Sequence, residues 1–195
     1  MSDLPDLEPA TRLAASVVSA VTDDALDRPT PCPEYSVRTI LAHLDGLSLA
    51  FTAAAAKDLG DMTDTPPGDA EFILEDGWRE RIPARLAALA AAWHDPSAWD
   101  GMTRAGGVDM PGEVAGLVAL DEVVLHGWDL AKGTGQAYEP DSATAAVVNG
   151  FLVESRKGDV PESLFGPVVE IGADAQTFDH ALGLAGRDPA WQQAP

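Results

Sequence analysis

Residues 112–132, GEVAGLVALDEVVLHGWDLAK, decide the fold. Residues four apart lie one above the other on a helix face. One such row here runs Val114, Val118, Glu122, His126 and Leu130. It is apolar at both ends and carries a carboxylate and an imidazole in its middle. A buried carboxylate is costly unless it is paired or bound to metal. Either Glu122 and His126 are compensated across a core, or the pair faces solvent and the row is phased differently. Pro111 suits the first helical position, Lys132 complements the terminal dipole, and Gly133 fits the left-handed residue after the end. A helix from about 111 to 132 follows.

Moving toward the N-terminus, Ser36 is an N-cap for a helix to about Lys57, with an apolar stripe of Val37, Ile40, Leu41, Leu44, Leu47 and Phe51. His43 sits at the edge of that stripe. Packed against the first helix, it can meet Glu122 and His126 across the core. Two imidazoles and one carboxylate form a three-ligand set for a divalent ion, with positions left open for water or substrate. Carboxylate and imidazole at helical spacing is also how bundle cores build metal sites. The plainer alternative is that His43 is a hydrogen-bonded core histidine and Glu122–His126 a surface pair.

The remaining pattern is helical as well. A helix is predicted over about Pro5–Val21, ended by the proline-rich turn from Asp27 to Pro33. Gly60–Gly68 reads as a loop. A further helix over about Glu71–Trp93 carries Phe72, Ile82, Leu86, Leu89 and Trp93, with Pro83 kinking or splitting it. Trp99–Met110 is a loop or a small hairpin. Helices over about Ser142–Lys157 and Ala175–Leu184 close the chain, and the tail between them holds Pro161 and Pro167. No internal repeat is found. Four long amphipathic helices with C-terminal additions point to an all-α bundle forming one domain over 1–195, its core at about 5–135 and an extension at about 136–195.

Size and composition narrow the function. A chain of 195 residues can bury roughly 70% of its unfolded surface, and 46% hydrophobic content excludes disorder. No run approaches 18 consecutive apolar residues, and the acidic start MSDLPDLEP lacks the features of a signal peptide. A single cysteine, Cys32, leaves no disulfide framework and no cysteine-cluster zinc site, in keeping with a reducing cytoplasm. A formal charge of −20 argues against nucleic acid and against an anionic membrane surface as partners. Between two prolines, Cys32 reads as an inert packed thiol. His94 and His180 take surface positions by default, and the five tryptophans are core and corner packing, Trp128 alone standing near enough to line a pocket.

Two motifs resemble a known superfamily. Thr30-Pro31-Cys32-Pro33-Glu34-Tyr35-Ser36-Val37-Arg38 followed by Leu41-Ala42-His43-Leu44 resembles the loop and second helix of the DinB/YfiT-like metalloenzymes, and more closely the N-terminal domain of the mycothiol-dependent maleylpyruvate isomerases. Asp121-Glu122-Val123-Val124-Leu125-His126-Gly127-Trp128-Asp129-Leu130-Ala131 is similar to that branch's fourth-helix motif. The tail, with Phe165-Gly166-Pro167 and Gly186-Arg187-Asp188-Pro189-Ala190-Trp191, resembles small actinobacterial members. The resemblance implies a four-helix bundle in up-down-down-up order, with a metal held by His43, Glu122 and His126. It implies zinc, with nickel or iron as alternatives, and mycothiol as cosubstrate. The isomerases carry a further domain, which the about 60 residues after the fourth helix are too short to supply. Maleylpyruvate isomerisation is therefore not expected, whereas a broader low-molecular-weight thiol chemistry is.

A thiol meeting such a metal loses its proton and can attack an electrophile. The expectation is a cytoplasmic metal-dependent thiol transferase or isomerase-like enzyme whose partners are a small thiol and an electrophilic substrate. The alternatives are a non-catalytic metal-binding or stress-response protein and a non-haem iron centre. Asp129, three residues after His126, either holds a ligand ring or hydrogen-bonds another helix. Whether the chain acts alone or as a homodimer stays open.

Overall fold

Helix-forming sequence dominates the molecule. The computed structural model describes residues 4–66, 72–158 and 165–193. Within them lie α1 (Glu8–Ser19), α2 (Val37–Ala56), α3 (Asp61–Asp64), α4 (Trp78–Trp93), α5 (Pro96–Trp99), β1 (Met102–Ala105), β2 (Val108–Pro111), α6 (Gly112–Thr134), α7 (Ser142–Ser155) and α8 (Thr177–Leu184). The fold is all-α apart from one hairpin, in which β1 and β2 pair antiparallel with Met102 opposite Pro111. Its turn, Gly106-Gly107, needs positive φ at both residues, 60° and 76°, the conformation that suits glycine in a two-residue hairpin.

Four helices form the bundle, packed in the ring order α1–α4–α2–α6. Their directions follow from contacts at the ends. Arg79, at the start of α4, donates to the carbonyl of Val21 just past α1, so α1 and α4 are antiparallel. Gln136, just past α6, donates to Val17 near the end of α1, so α1 and α6 run together. A Cβ on Gly133 would touch Val37, placing the end of α6 at the start of α2. The order is up-down-down-up, as the resemblance implied. The core runs through Val18, Ile40, Leu44, Leu86, Val124 and Leu130, all fully buried.

Two devices fix the ligand-bearing helices. Asp45, two residues beyond His43 and buried, accepts from Arg81 at 2.9 Å and from Arg85 at 2.6 Å, tying α2 to α4. At the other end the Trp93 indole donates to Phe51 and the Trp99 indole to Trp93, with the two ring systems 5.1 Å apart. Gly116 of α6 packs directly beneath them. The C-terminal helices add a further layer, α7 against α6 and α8 against α7. Arg156 at the end of α7 donates to the carbonyls of Leu184 and Gly166.

Several boundaries differ from expectation. α6 runs past Gly133, which packs against Pro29 and Thr30, and the left-handed terminating residue is Gly135. α4 begins at Trp78, so Phe72 stands ahead of it in irregular chain; Glu71, like Pro67, Gly68 and Pro161, lies outside the described residues. Pro83 neither splits α4 nor ends it; the helix continues through it with the loss of one bond, to Arg79. One helical turn, α3, stands inside the stretch expected to be a loop. α2 is long and apolar enough to cross a membrane by length and composition, yet its apolar residues are spent on the bundle core.

A methyl group on Gly116 would meet the Trp99 ring at 2.5 Å and the Trp93 ring at 2.9 Å. Gly116→Ala is therefore expected to lower unfolding free energy by about 1–3 kcal/mol. Gly150→Ala, in α7 with nothing within 4 Å, is expected to raise it by up to about 1 kcal/mol. Urea denaturation of both variants reads the contrast, and equal effects would contradict the packing described.

Candidate metal centre

Ser36 begins α2 by accepting from the Thr39 amide, which sets the phase of the turns that follow. That phase turns His43 toward α6. Its Nε2 lies 3.0 Å from Glu122 Oε2, and His126 Nε2 lies 3.3 Å from the same oxygen. The two imidazoles are 4.7 Å apart and nearly perpendicular. One donor atom from each of His43, Glu122 and His126 lies within 4.8 Å of the others. The sequence-predicted trio thus converges on one point between α2 and α6.

Four-coordinate zinc with ligand bonds of about 2.0–2.1 Å would space its donors by about 3.3 Å. The two imidazole-to-carboxylate separations, 3.0 and 3.3 Å, are close to that. The charge pattern fits a cation too. Burial alone would depress the His126 imidazole, but hydrogen bonds with Asp129 and Glu122, and their charges, outweigh it and push its pKa up to about 9. Burial alone would raise Glu122, but hydrogen bonds from His126 and His43 hold its carboxyl well below the usual range. Both shifts have one cause, the close facing of carboxylates and imidazoles.

The surroundings orient the trio. Asp129, fully buried, takes His126 Nδ1 at 3.1 Å and also accepts from Arg187 Nη2 at 3.0 Å. Asp129 thus holds the His126 ring, and its second partner is not on another helix, as considered, but in the chain that follows α8. Tyr35 stacks on His126 with centroids 5.9 Å apart, and Phe72 meets His43 edge-on at 5.3 Å. The two rings also pack on each other, walling one side of the cluster. Glu122 keeps 31% of its side chain exposed, against 14% for His43 and 10% for His126, so the approach from solvent is over the carboxylate.

The sequence pattern gives Tyr35, Phe72 and Arg187 no part in the centre. Phe72 was placed in a helix that does not reach it. The signal for Arg187 was present: three acids on one buried stretch of α6 demand a cation from elsewhere. Burial pushes the Cys32 thiol up to about 11, with the Asp129 charge adding to it, as expected for an unreactive thiol. His94 is exposed, while His180 is half-buried beside Asn149 in a groove of about 490 Å³ between α7 and α8. Trp128 is buried with the Lys132 ammonium 5.5 Å over its ring, a packing position.

A family model described as the mycothiol maleylpyruvate isomerase N-terminal domain matches residues 7–131. Two uncharacterized proteins of Mycobacterium tuberculosis, from strains CDC 1551 / Oshkosh and ATCC 25618 / H37Rv, are each 28% identical over 134 residues. That match covers 67% of this chain and 66% of each relative, just under two thirds of their length. A crystal structure of the mycothiol-dependent maleylpyruvate isomerase superposes with a TM-score of 0.57 at 18% identity, over 77% of this chain and 70% of that one. A histidine-to-alanine mutant of that enzyme gives 0.54 at 17% identity, with the same coverage. The bundle described above is shared with those structures.

Asp121, beside Glu122, is buried and its Oδ1 has no hydrogen-bond partner among the described residues. Burial and then the Glu122 charge raise its pKa well above the 3.8 of a free aspartate. Folding therefore loses stability as pH rises above that unfolded value, by about 1.4 kcal/mol per unit until the folded pKa is reached. Asp121→Asn is expected to match wild type near pH 3.5 and to become progressively more stable than it toward neutrality. Denaturation midpoints across pH 3.5–7 test this, and a constant difference would show that Asp121 is not held in its neutral form.

Proposed function

The chain belongs to the mycothiol maleylpyruvate isomerase N-terminal domain family, and on that premise we propose that it is a divalent-metal-binding protein working with a low-molecular-weight thiol such as mycothiol. The reaction class we assign is a thiol-dependent transfer or isomerisation on a small electrophile, in the cytoplasm. One observation carries this reading: His43, Glu122 and His126 present donor atoms within 4.8 Å of one another on the two adjacent helices of a family bundle. The segment after residue 135 is read as part of the same domain, because Arg187 reaches Asp129 inside the bundle.

With two neutral imidazoles and one carboxylate as ligands, a divalent ion, zinc in this proposal, would keep a net positive charge and stabilise the deprotonated form of a coordinating thiol. The protein's own residues prepare that site. In this proposal Asp129 accepts the Nδ1 proton of His126, which leaves Nε2, 3.3 Å from Glu122 Oε2, free to ligate an ion held between the two groups. Tyr35 and Phe72 cover the imidazoles with apolar surface and keep bulk water off that side. Glu122 stands at the accessible edge, where a small molecule arrives first.

Metal analysis of the purified chain is expected to find about one ion per molecule, largely lost in His43→Ala and in His126→Ala. Consumption of an aryl-halide electrophile is expected to require added mycothiol and to stop on chelation. Full ion retention in either variant would remove that histidine from the centre. An ion-loaded chain that consumes no electrophile with any small thiol would leave a binding protein without the chemistry.

A further inference from the structure

Arg187 comes from outside the matched family region, 58 residues beyond Asp129. It is nonetheless buried, with 8% of the residue exposed. Its Nη2 donates to Asp129 Oδ2 at 3.0 Å, and its Nε approaches Oδ1 at 3.5 Å. Nη1 donates to the carbonyl of Ala185 at 2.7 Å. Each of the three guanidinium nitrogens thus has a partner, from one carboxylate and one fixed carbonyl.

The backbone that delivers it is equally determined. α8 ends in a paired turn: Gly186 N–H bonds to Gly183 and Arg187 N–H to Leu182, the two bonds of a Schellman cap. Gly186 has φ +77°, and a Cβ there would collide with the Phe165 carbonyl. Asp188 then caps the next turn through the Ala190 amide. Arg187 has little freedom to sit anywhere else.

We propose that Arg187 is a positioning residue of the centre: by gripping both oxygens of Asp129 it fixes that carboxylate, and through it the ring orientation of His126, so that the C-terminal extension completes the ligand set of the family bundle. This rests on the metal-binding reading above. Asp129 Oδ2 is shared by Arg187 and His126 Nδ1, so a carboxylate free to rotate would no longer present its oxygen to the imidazole. Partners of this kind behind a ligating histidine are worth about 10- to 100-fold in metal affinity. Lysine at this position offers a point charge rather than a fork and should hold the carboxylate less well.

The test uses the full chain with Co(II) as probe ion, in wild type, Arg187→Lys, Arg187→Met and Gly116→Ala. Arg187→Met is expected to weaken Co(II) binding about 10- to 100-fold and alter its visible absorption, with Arg187→Lys intermediate. Gly116→Ala, destabilised at a distance, should bind Co(II) as wild type does. In the metal-free proteins, the Nδ1–H proton resonance of His126 should be protected from solvent in wild type and lost in Arg187→Met. If Arg187→Met does not fold, Arg187→Lys carries both measurements. Wild-type affinity and spectrum in the Arg187 variants, with the imidazole proton still protected, would overturn the proposal alone. Failure of wild type to bind Co(II) would instead overturn the metal reading, with the imidazole resonance still deciding whether Arg187 orients His126.

Discussion

Three carboxyl groups, Asp121, Glu122 and Asp129, are carried by α6 into the interior or to its edge, and the surrounding structure answers each of them differently. Glu122 lies between two imidazoles. Asp129 lies between an imidazole and a guanidinium. Asp121 forms no ion pair among the described residues, and burial with the neighbouring Glu122 charge holds it toward its neutral form. Because charge in an apolar medium must be compensated locally, these groups constrain elements far apart in the chain. α2 must present His43, the C-terminal turn must present Arg187, and α6 must keep the phase that aims all three acids inward.

That constraint accounts for much of the remaining architecture. The Asp45 clamp with Arg81 and Arg85 fixes α2 against α4 two residues from His43, so the histidine cannot roll away from α6. The Trp93–Trp99 stack on Gly116 fixes the start of α6 in the same manner. With α2 held beside His43 and α6 held at its start, the imidazoles and carboxylate meet without a flexible loop among them. A centre on rigid helices keeps its geometry better than one on loops.

Much of this was legible in the residues. The four-residue row on α6 gave the helix and the Glu122–His126 pair, since helical spacing is local and survives any tertiary arrangement; the row is not the buried face along its whole length, for Val114 is exposed and Val118 half-buried while Ala115, Ala119 and Val123 line the core. The Ser36 cap and the apolar stripe likewise placed His43. What escaped was non-local. Phe72 looked like part of an amphipathic helix because its spacing to Ile82 and Leu86 fits one; the helix instead starts at Trp78, and the aromatic ring reaches His43 from irregular chain. Gly133 looked like a helix stop because glycine usually is, but here close approach to Pro29 and Thr30 is what demands it. Arg187 could not be assigned to Asp129 by any periodicity, only by asking which cation neutralises a buried acid.

The ring order α1–α4–α2–α6 places the two donor-bearing helices side by side although His43 and Glu122 are 79 residues apart. During synthesis at about 5–20 residues per second, the first of these side chains would precede the second by about 4–16 s. Until Trp93 has been added the stripe of α2 has neither α4 nor α6 to cover it, and from there to Glu122 it has α4 alone. The histidine's eventual partner does not yet exist, so the contact belongs to the finished bundle, and the nascent chain depends on its early helices, or on cellular holdases, to keep that stripe from sticking elsewhere.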